Sequence, residues 1–124
     1  MCVLLPAPAV AADIGPGPGG ITATVAGYRV FVHVAPNTTT RWNDVELRLS
    51  RRGAAIRRAA ISLRLQMPAM SMGAPRFRLR ELRAGVYRYS GPAISMPGLW
   101  ILTFTVQPVH ARAFTVVVRD HVRE

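Results

Sequence analysis

Four methionines lie beside loop-forming residues and supply soft sulfur donors. Three of them, Met67, Met70 and Met72, fall within six residues, and the fourth, Met96, is followed by a Pro-Gly pair. A thioether is a soft, neutral donor that suits Cu(I) and binds hard cations poorly. Methionines that act as flexible filler are usually scattered along core strands and are not gathered beside proline and glycine. The cluster therefore predicts either a Cu(I) site or a loop motif with a packing role.

The packing interpretation is specific for each methionine. Met67 continues the inward positions of an alternating segment, 60–67, so it is expected to lie in the core. Met70 and Met72 would then close the open end of the domain, since methionine is common filler. The sequence leaves the metal and packing interpretations open for these two residues.

Size and composition limit the class of protein. The chain of 124 residues suits one domain with its own core, and its hydrophobic content of 50% excludes disorder outside the N-terminal tract. Cys2 is the single cysteine, so there is no internal disulfide and no cysteine zinc cage. All 16 basic residues are arginine, and the net charge is +10.

That charge raises the question of nucleic-acid binding. Arg76, Arg78 and Arg80 alternate with apolar residues, which is typical of the solvated face of a half-buried sheet. Zinc-finger spacing, an RNP-like aromatic run and a basic helix are all missing from the sequence. We therefore predict no specific nucleic-acid partner, and favour attraction to an anionic membrane surface, which needs only charge.

The N-terminal segment, residues 1–12, is apolar and ends in Ala-Val-Ala-Ala. It is shorter than the roughly twenty residues that span a bilayer, and it resembles the end of a signal peptide without the positive n-region. It is either a signal-peptide remnant or the end of a membrane helix, and both place the remainder outside the cytoplasm; the alternative is a frayed apolar tail on a cytosolic protein. Residues 13–20 are predicted to form a Gly/Pro linker, residues 21–120 the folded domain and residues 121–124 a tail.

Short alternating segments with turn signals between them run through the rest of the chain. The predicted strands are 21–26, 28–35, 43–50, 60–67, 76–82, 85–90, 99–107 and 113–119. Their spacing of about ten residues predicts an all-β fold, an immunoglobulin-like antiparallel β-sandwich of seven to eight strands. The predicted core comprises Val30, Val32, Leu47, Leu63, Leu65, Leu79, Trp100, Leu102, Phe104 and Val116.

Strand parity tests whether the candidate ligands can meet. In an antiparallel sandwich every second loop lies at the same end, so the loops 36–42, 68–75 and 91–97 should share one end. His33 precedes the first of these loops and His121 follows the last strand, whereas His110 lies at the opposite end. The candidate metal ligands are therefore Met67, Met70, Met72 and Met96, with His33 or, as an alternative, His121 as the nitrogen ligand. A lone histidine on a strand is more often solvated than bound to a metal.

Three motifs resemble those of the YtkA-like domain family. They are Met-Pro-x-Met-x-Met-Gly at 67–73, Gly-x-Tyr at 85–87 and Met-Pro-Gly-x-Trp at 96–100, and the resemblance covers residues 27–118. It implies a sandwich fold, export, and an association with copper handling through related domains of copper-resistance membrane proteins of the CopC/CopD type. It implies no established reaction.

Catalysis finds no support in the sequence. Asp44, Glu46 and Glu81 are scattered on arginine-rich strands, where solvated ion pairs account for them. Serine residues lack a histidine and an acid at an obvious catalytic spacing. Two functions follow: a non-catalytic extracytoplasmic domain that binds or hands over Cu(I), with a copper-handling membrane protein as partner, or an exported or membrane-tethered interaction domain whose methionines are structural.

Overall fold

The computed structural model describes residues 9–10, 13–39, 42–69 and 74–123. The described part contains eleven strands: β1 Ala9–Val10, β2 Gly19–Val25, β3 Tyr28–Ala35, β4 Asn43–Arg51, β5 Ala54–Ala55, β6 Ala60–Gln66, β7 Arg76–Arg78, β8 Arg80–Arg83, β9 Val86–Gly91, β10 Gly98–Gln107 and β11 Phe114–Val122. Within these residues no helix is long and apolar enough to cross a membrane.

The strands form two sheets, which confirms the predicted β-sandwich. One sheet has the order β1-β11-β10-β6-β7, and the other has the order β2-β3-β4-β9-β8, with β5 paired to β4. All strand pairs are antiparallel except β1 with β11. The four strands β3-β4-β9-β8 opposite the three strands β6-β10-β11 reproduce the immunoglobulin pattern. The described part has eleven strands and not seven to eight, because short or peripheral strands (β1, β2, β5 and β7) join these seven.

The core lies between the sheets and follows from alternation along each strand. In β6 the burial alternates strictly, with Ile61, Leu63 and Leu65 buried and their neighbours exposed, since successive side chains point to opposite faces. All ten predicted core residues are buried. The indole N–H of Trp100 finds its partner locally, because it donates to the main-chain carbonyl of Met96 over 2.9 Å.

The prediction of one strand over 76–82 is wrong. The segment forms two strands, β7 in one sheet and β8 in the other, separated at Leu79. Leu79 is buried, and its N–H donates to the carbonyl of Ile61 over 2.9 Å. The chain therefore changes sheets at a residue whose side chain faces the shared core, and β7 and β8 each form the edge of a sheet.

Residues 13–20 and 121–123 pack with the sandwich, although the sequence predicted a linker over 13–20 and a tail over 121–124. Ile14 is buried, its N–H donates to Arg119, and its carbonyl accepts from His121. Gly19 and Gly20 are already part of β2, and β11 continues to Val122, which is buried. The glycines and prolines of residues 13–20 made this segment resemble a linker. However, Ile14 buries its side chain in the core and hydrogen-bonds to the last strand, which holds the segment in place.

Candidate functional site

Three loops meet at one end of the sandwich, as strand parity predicted. Gly98, at the start of β10, pairs with Val122 at the end of β11, and Gln66, at the end of β6, pairs with Ile101. An isolated bridge joins Thr38 to Arg123, which brings in the loop between β3 and β4. We call the described parts of these loops, residues 36–39, 67–69 and 92–97, the methionine end.

Met67 and Met96 both lie at this end. A Cβ atom built on Gly98 would lie 2.6 Å from Cε of Met67, so the methyl group of Met67 covers the backbone of Gly98. Met96 stands two residues before Gly98, and its carbonyl accepts the hydrogen bond from Trp100. Both methionines are half-buried and pack against the core. The structure thus brings Met67 to the turn that contains Met96.

Met70 and Met72 lie outside the described residues. Their loop leaves β6 after Met67 and returns to the described chain at Ala74, one residue before Pro75. The carbonyl of Pro75 accepts from the N–H of Leu65 over 3.1 Å, so both ends of the loop are fixed to the same sheet. Whether the sulfurs of Met70 and Met72 meet those of Met67 and Met96 stays a prediction.

His33 lies on a different surface from the two described methionines. It occupies an outward position of β3, half-buried between the fully buried Val32 and Val34. Its ring stacks on Phe31, with centroids 6.3 Å apart. Met67 and Met96 pack against the core, whereas His33 lies on the outer face of the opposite sheet. The structure does not bring His33 together with these methionines.

The histidine at the end of β11 has a different partner. Nε2 of His121 lies 3.0 Å from Oδ2 of Asp13, and Nε of Arg119 lies 2.7 Å from the other oxygen. The hydrogen bond from His121, with Arg119 beside it, holds the pKa of the exposed Asp13 below its ordinary value. Among the described residues, no three His, Cys, Asp or Glu side chains are grouped so that they could hold a metal ion.

A buried polar network at the same end of the sandwich was not predicted from the sequence. Asn37, Asn43 and Asp120 are all 0% exposed. The Nδ2 group of Asn37 donates to Oδ1 of Asp120 over 2.7 Å and to the carbonyl of Gly17 over 2.9 Å. Oδ1 of Asn43 accepts from the N–H of Asn37 over 2.8 Å. The network ties the N-terminal segment, the first loop and the last strand together.

Asp120 is the titratable residue among these three buried side chains. Burial raises its pKa from 3.8 to about 6, and the hydrogen bond from Asn37 only partly offsets that effect. Its Oδ2 atom has no hydrogen-bond partner within the described residues. The sequence did contain a signal for its position, because Asp120 continues the inward parity of Phe114, Val116 and Val118.

Of the three acidic residues for which ion pairs were predicted, Glu46 forms them within the described residues, whereas Asp44 accepts a hydrogen bond from the Ser90 hydroxyl and Glu81 accepts one from the Arg58 N–H. Glu46 accepts from Arg48 over 3.0 Å and from Arg88 over 3.1 Å. Partial burial would raise the pKa of Glu46, but the hydrogen bonds from the two arginines outweigh it and lower that pKa. These contacts stabilise the outer face of β4 and β9.

Comparison with known proteins identifies one family. The profile of the YtkA-like family matches residues 22–105, which is more than half of the chain. Neither a curated protein nor a solved structure matches the chain. The chain therefore belongs to the YtkA-like family, as its three motifs predicted.

Proposed function

We propose that this YtkA-like domain is a non-catalytic module that works outside the cytoplasm and binds Cu(I) through methionine thioethers. The donors are Met70, Met72 and Met96, with Met67 at the rim of the site. The observation that supports this function best is the position of Met67 at the Met96 turn, which gathers two thioethers at one end of the sandwich.

The chemistry of the donors sets the properties of the site. Thioethers are neutral and need no deprotonation, so they hold Cu(I) at mildly acidic pH, where a thiolate site would compete with protons. A site built from thioethers alone binds modestly, which suits transfer of the ion more than storage. The partner in such a transfer would be a copper-handling membrane protein, and the excess of arginine would favour a position close to an anionic membrane.

We do not expect His33 to be a ligand of this Cu(I) site. His33 was predicted as a nitrogen ligand, and it lies on the outer face of β3, away from the core-packed methionines. A His33→Asn variant is therefore expected to bind Cu(I) as the wild type does. His110→Asn, at the opposite end of the sandwich, is the matched control, because asparagine tolerates the positive φ of 59° found there.

The test is a Cu(I) titration of the purified chain under reducing conditions with a competing chelator. Cys2→Ser is the reference protein, since a thiolate would bind Cu(I) more strongly than thioethers and mask the site. In that background Met70→Leu with Met72→Leu keeps volume and apolarity at a folding cost below about 1.5 kcal/mol. We expect this double variant to lose Cu(I) binding while its thermal unfolding changes little. Unchanged affinity in the double variant would refute the site.

A second function is favoured by one observation, the contacts of the described methionines. Met67 and Met96 pack against the core, and Met67 covers Gly98. These contacts give both residues a structural role without any metal. Under this alternative the chain is an exported or membrane-tethered interaction domain, and it binds no Cu(I) in the titration.

A further inference from the structure

The strands β7 and β8 form a continuous open edge along one side of the sandwich. Each is the terminal strand of its sheet, so no described strand pairs with its outer side. Such edges present unpaired backbone groups to other chains. Four arginines line this edge and are exposed: Arg76, Arg78, Arg80 and Arg83. We call this surface the arginine edge.

The arginine edge carries four cations and one carboxylate, that of Glu81 in β8, so its net charge is positive. None of its four arginines takes part in the ion pairs found among the described residues. Arg76 pairs in register with Arg64 of β6, and Arg80 pairs in register with Arg88 of β9. Like charges directly opposite each other on neighbouring strands are destabilising. The fold therefore carries a cluster of cations that its own stability does not require.

Protection against edge-to-edge aggregation accounts for only part of this pattern. Charged residues do keep edge strands from pairing with copies of themselves. However, β2 is the other edge of its sheet, and its sequence Gly-Gly-Ile-Thr-Ala-Thr-Val contains no charged residue. The charge is thus concentrated on one edge. A row of cations that repels a second copy attracts a strand of opposite charge.

The open backbone groups belong to the same residues as the guanidinium groups. Leu79 donates to Ile61, and Leu65 donates to Pro75, so these pairs are hydrogen-bonded. Bonded and non-bonded pairs alternate in an antiparallel ladder. Arg76 and Arg78 therefore lie at non-bonded positions, and their N–H and C=O groups point away from β6.

We propose that the arginine edge binds an extended acidic peptide segment, which adds to β7 as a further strand. The backbone groups of Arg76 and Arg78 pair with the peptide, and carboxylates two residues apart on the peptide lie opposite the two guanidinium groups. The residue between them lies beside Phe77, which is half-buried and packs on Tyr89 at 4.3 Å between ring centroids, so an apolar side chain suits it. The partner motif is acidic–apolar–acidic. This inference does not depend on the copper proposal.

The experiment uses the full chain and a fluorescent peptide with the core Glu-Val-Glu-Val-Glu, measured by anisotropy at moderate salt, about 0.1 M, for all variants. We expect binding to the wild type, and at least about tenfold weaker binding to Arg76→Glu with Arg78→Glu. The matched control, Arg29→Glu with Arg112→Glu, makes the same charge change at exposed positions away from β7 and should change affinity by less than about twofold at moderate salt. Should the first variant fail to fold, Arg76→Gln with Arg78→Gln replaces it.

Two peptide controls separate strand addition from simple charge attraction. A peptide of the same composition with the order Val-Val-Glu-Glu-Glu, and the original peptide N-methylated at alternate residues, should both bind at least about fivefold more weakly, because one loses the alternation and the other the backbone donors. Hydrogen exchange should show protection of the Arg76 and Arg78 amides by the original peptide. Equal binding of all three peptides would overturn the proposal, and so would equal losses in the two charge-reversed variants. Binding to phosphatidylserine vesicles through this edge in place of the peptide would overturn it as well.

Discussion

The space between the sheets and the methionine end solve different physical problems. Between the sheets most inward side chains are apolar, as with Leu63, Leu102 and Phe104, each 0% exposed. At the methionine end, half-buried thioethers lie near a fully buried network of Asn37, Asn43 and Asp120. The apolar faces of two sheets can pack directly against each other. The end of a sandwich must also provide hydrogen-bond partners for the backbone N–H and C=O groups of three loops.

Groups of this fold that could bind a ligand or a proton lie at the end of the sandwich. Oδ2 of Asp120, close to the methionine end, is a buried carboxylate oxygen without a hydrogen-bond partner among the described residues. The same end holds the thioethers of Met67 and Met96. Polar and soft groups are tolerated at the end of the sandwich because loops supply hydrogen bonds that the sheets do not.

The largest expected effect comes from emptying the core. Trp100→Ala should lower the free energy of unfolding by about 3–5 kcal/mol, since it removes a large buried side chain and leaves a cavity. Leu99→Ala is the neighbouring control, because Leu99 is 37% exposed. Urea denaturation measures both variants. A small loss for Trp100→Ala would contradict the assignment of this residue to the core.

Removing the buried charge tests the methionine end. The folded-state pKa of Asp120, about 6, lies above the ordinary 3.8, so the folded protein binds this proton more tightly than the unfolded chain. Stability of the wild type relative to Asp120→Asn should therefore rise as the pH falls from about 6 to 4, by about 2 kcal/mol. Denaturation curves across this range measure the difference. If the free energies of unfolding of the two proteins vary with pH in the same way, the pKa of Asp120 is not raised by folding.

An acidic residue with the opposite shift provides the control for that pH profile. The pKa of Asp13 is lowered in the folded state by the hydrogen bond from His121 and by Arg119. Its contribution is present above about pH 4 and is lost as the pH falls further. Asp13→Asn should therefore change the pH dependence of stability only below about pH 4, and should not affect the change between about pH 6 and pH 4 that depends on Asp120.

The smallest expected effect concerns the packing of Met67. Met67→Leu should cost less than about 1.5 kcal/mol, since volume and apolarity are nearly conserved. Met67→Ala should cost more, because the methyl group that covers Gly98 is lost. Thermal unfolding of the two variants decides whether the residue has a structural role. If both variants are as stable as the wild type, the packing interpretation of Met67 is wrong.

The alternation of inward and outward residues along the strands accounts for what the sequence could predict. Alternation identified the buried faces of β3, β6 and β10 and the end at which the loops meet, since these depend only on the period of two. It could not show the change of sheet at Leu79, because that side chain faces the core in both sheets. Asp120 also followed the inward parity, but its burial depends on Asn37, which is 83 positions away in the chain. A contact of that kind has no local signal.

The central claim, thioether binding of Cu(I), is tested most directly by X-ray absorption of the Cu(I)-loaded chain. The Cys2→Ser protein removes the only thiolate, so any sulfur bound to copper must come from methionine. We predict a first coordination shell of copper dominated by sulfur, which disappears in Met70→Leu with Met72→Leu. A shell of nitrogen and oxygen alone, or a sulfur shell that survives in that double variant, would contradict it.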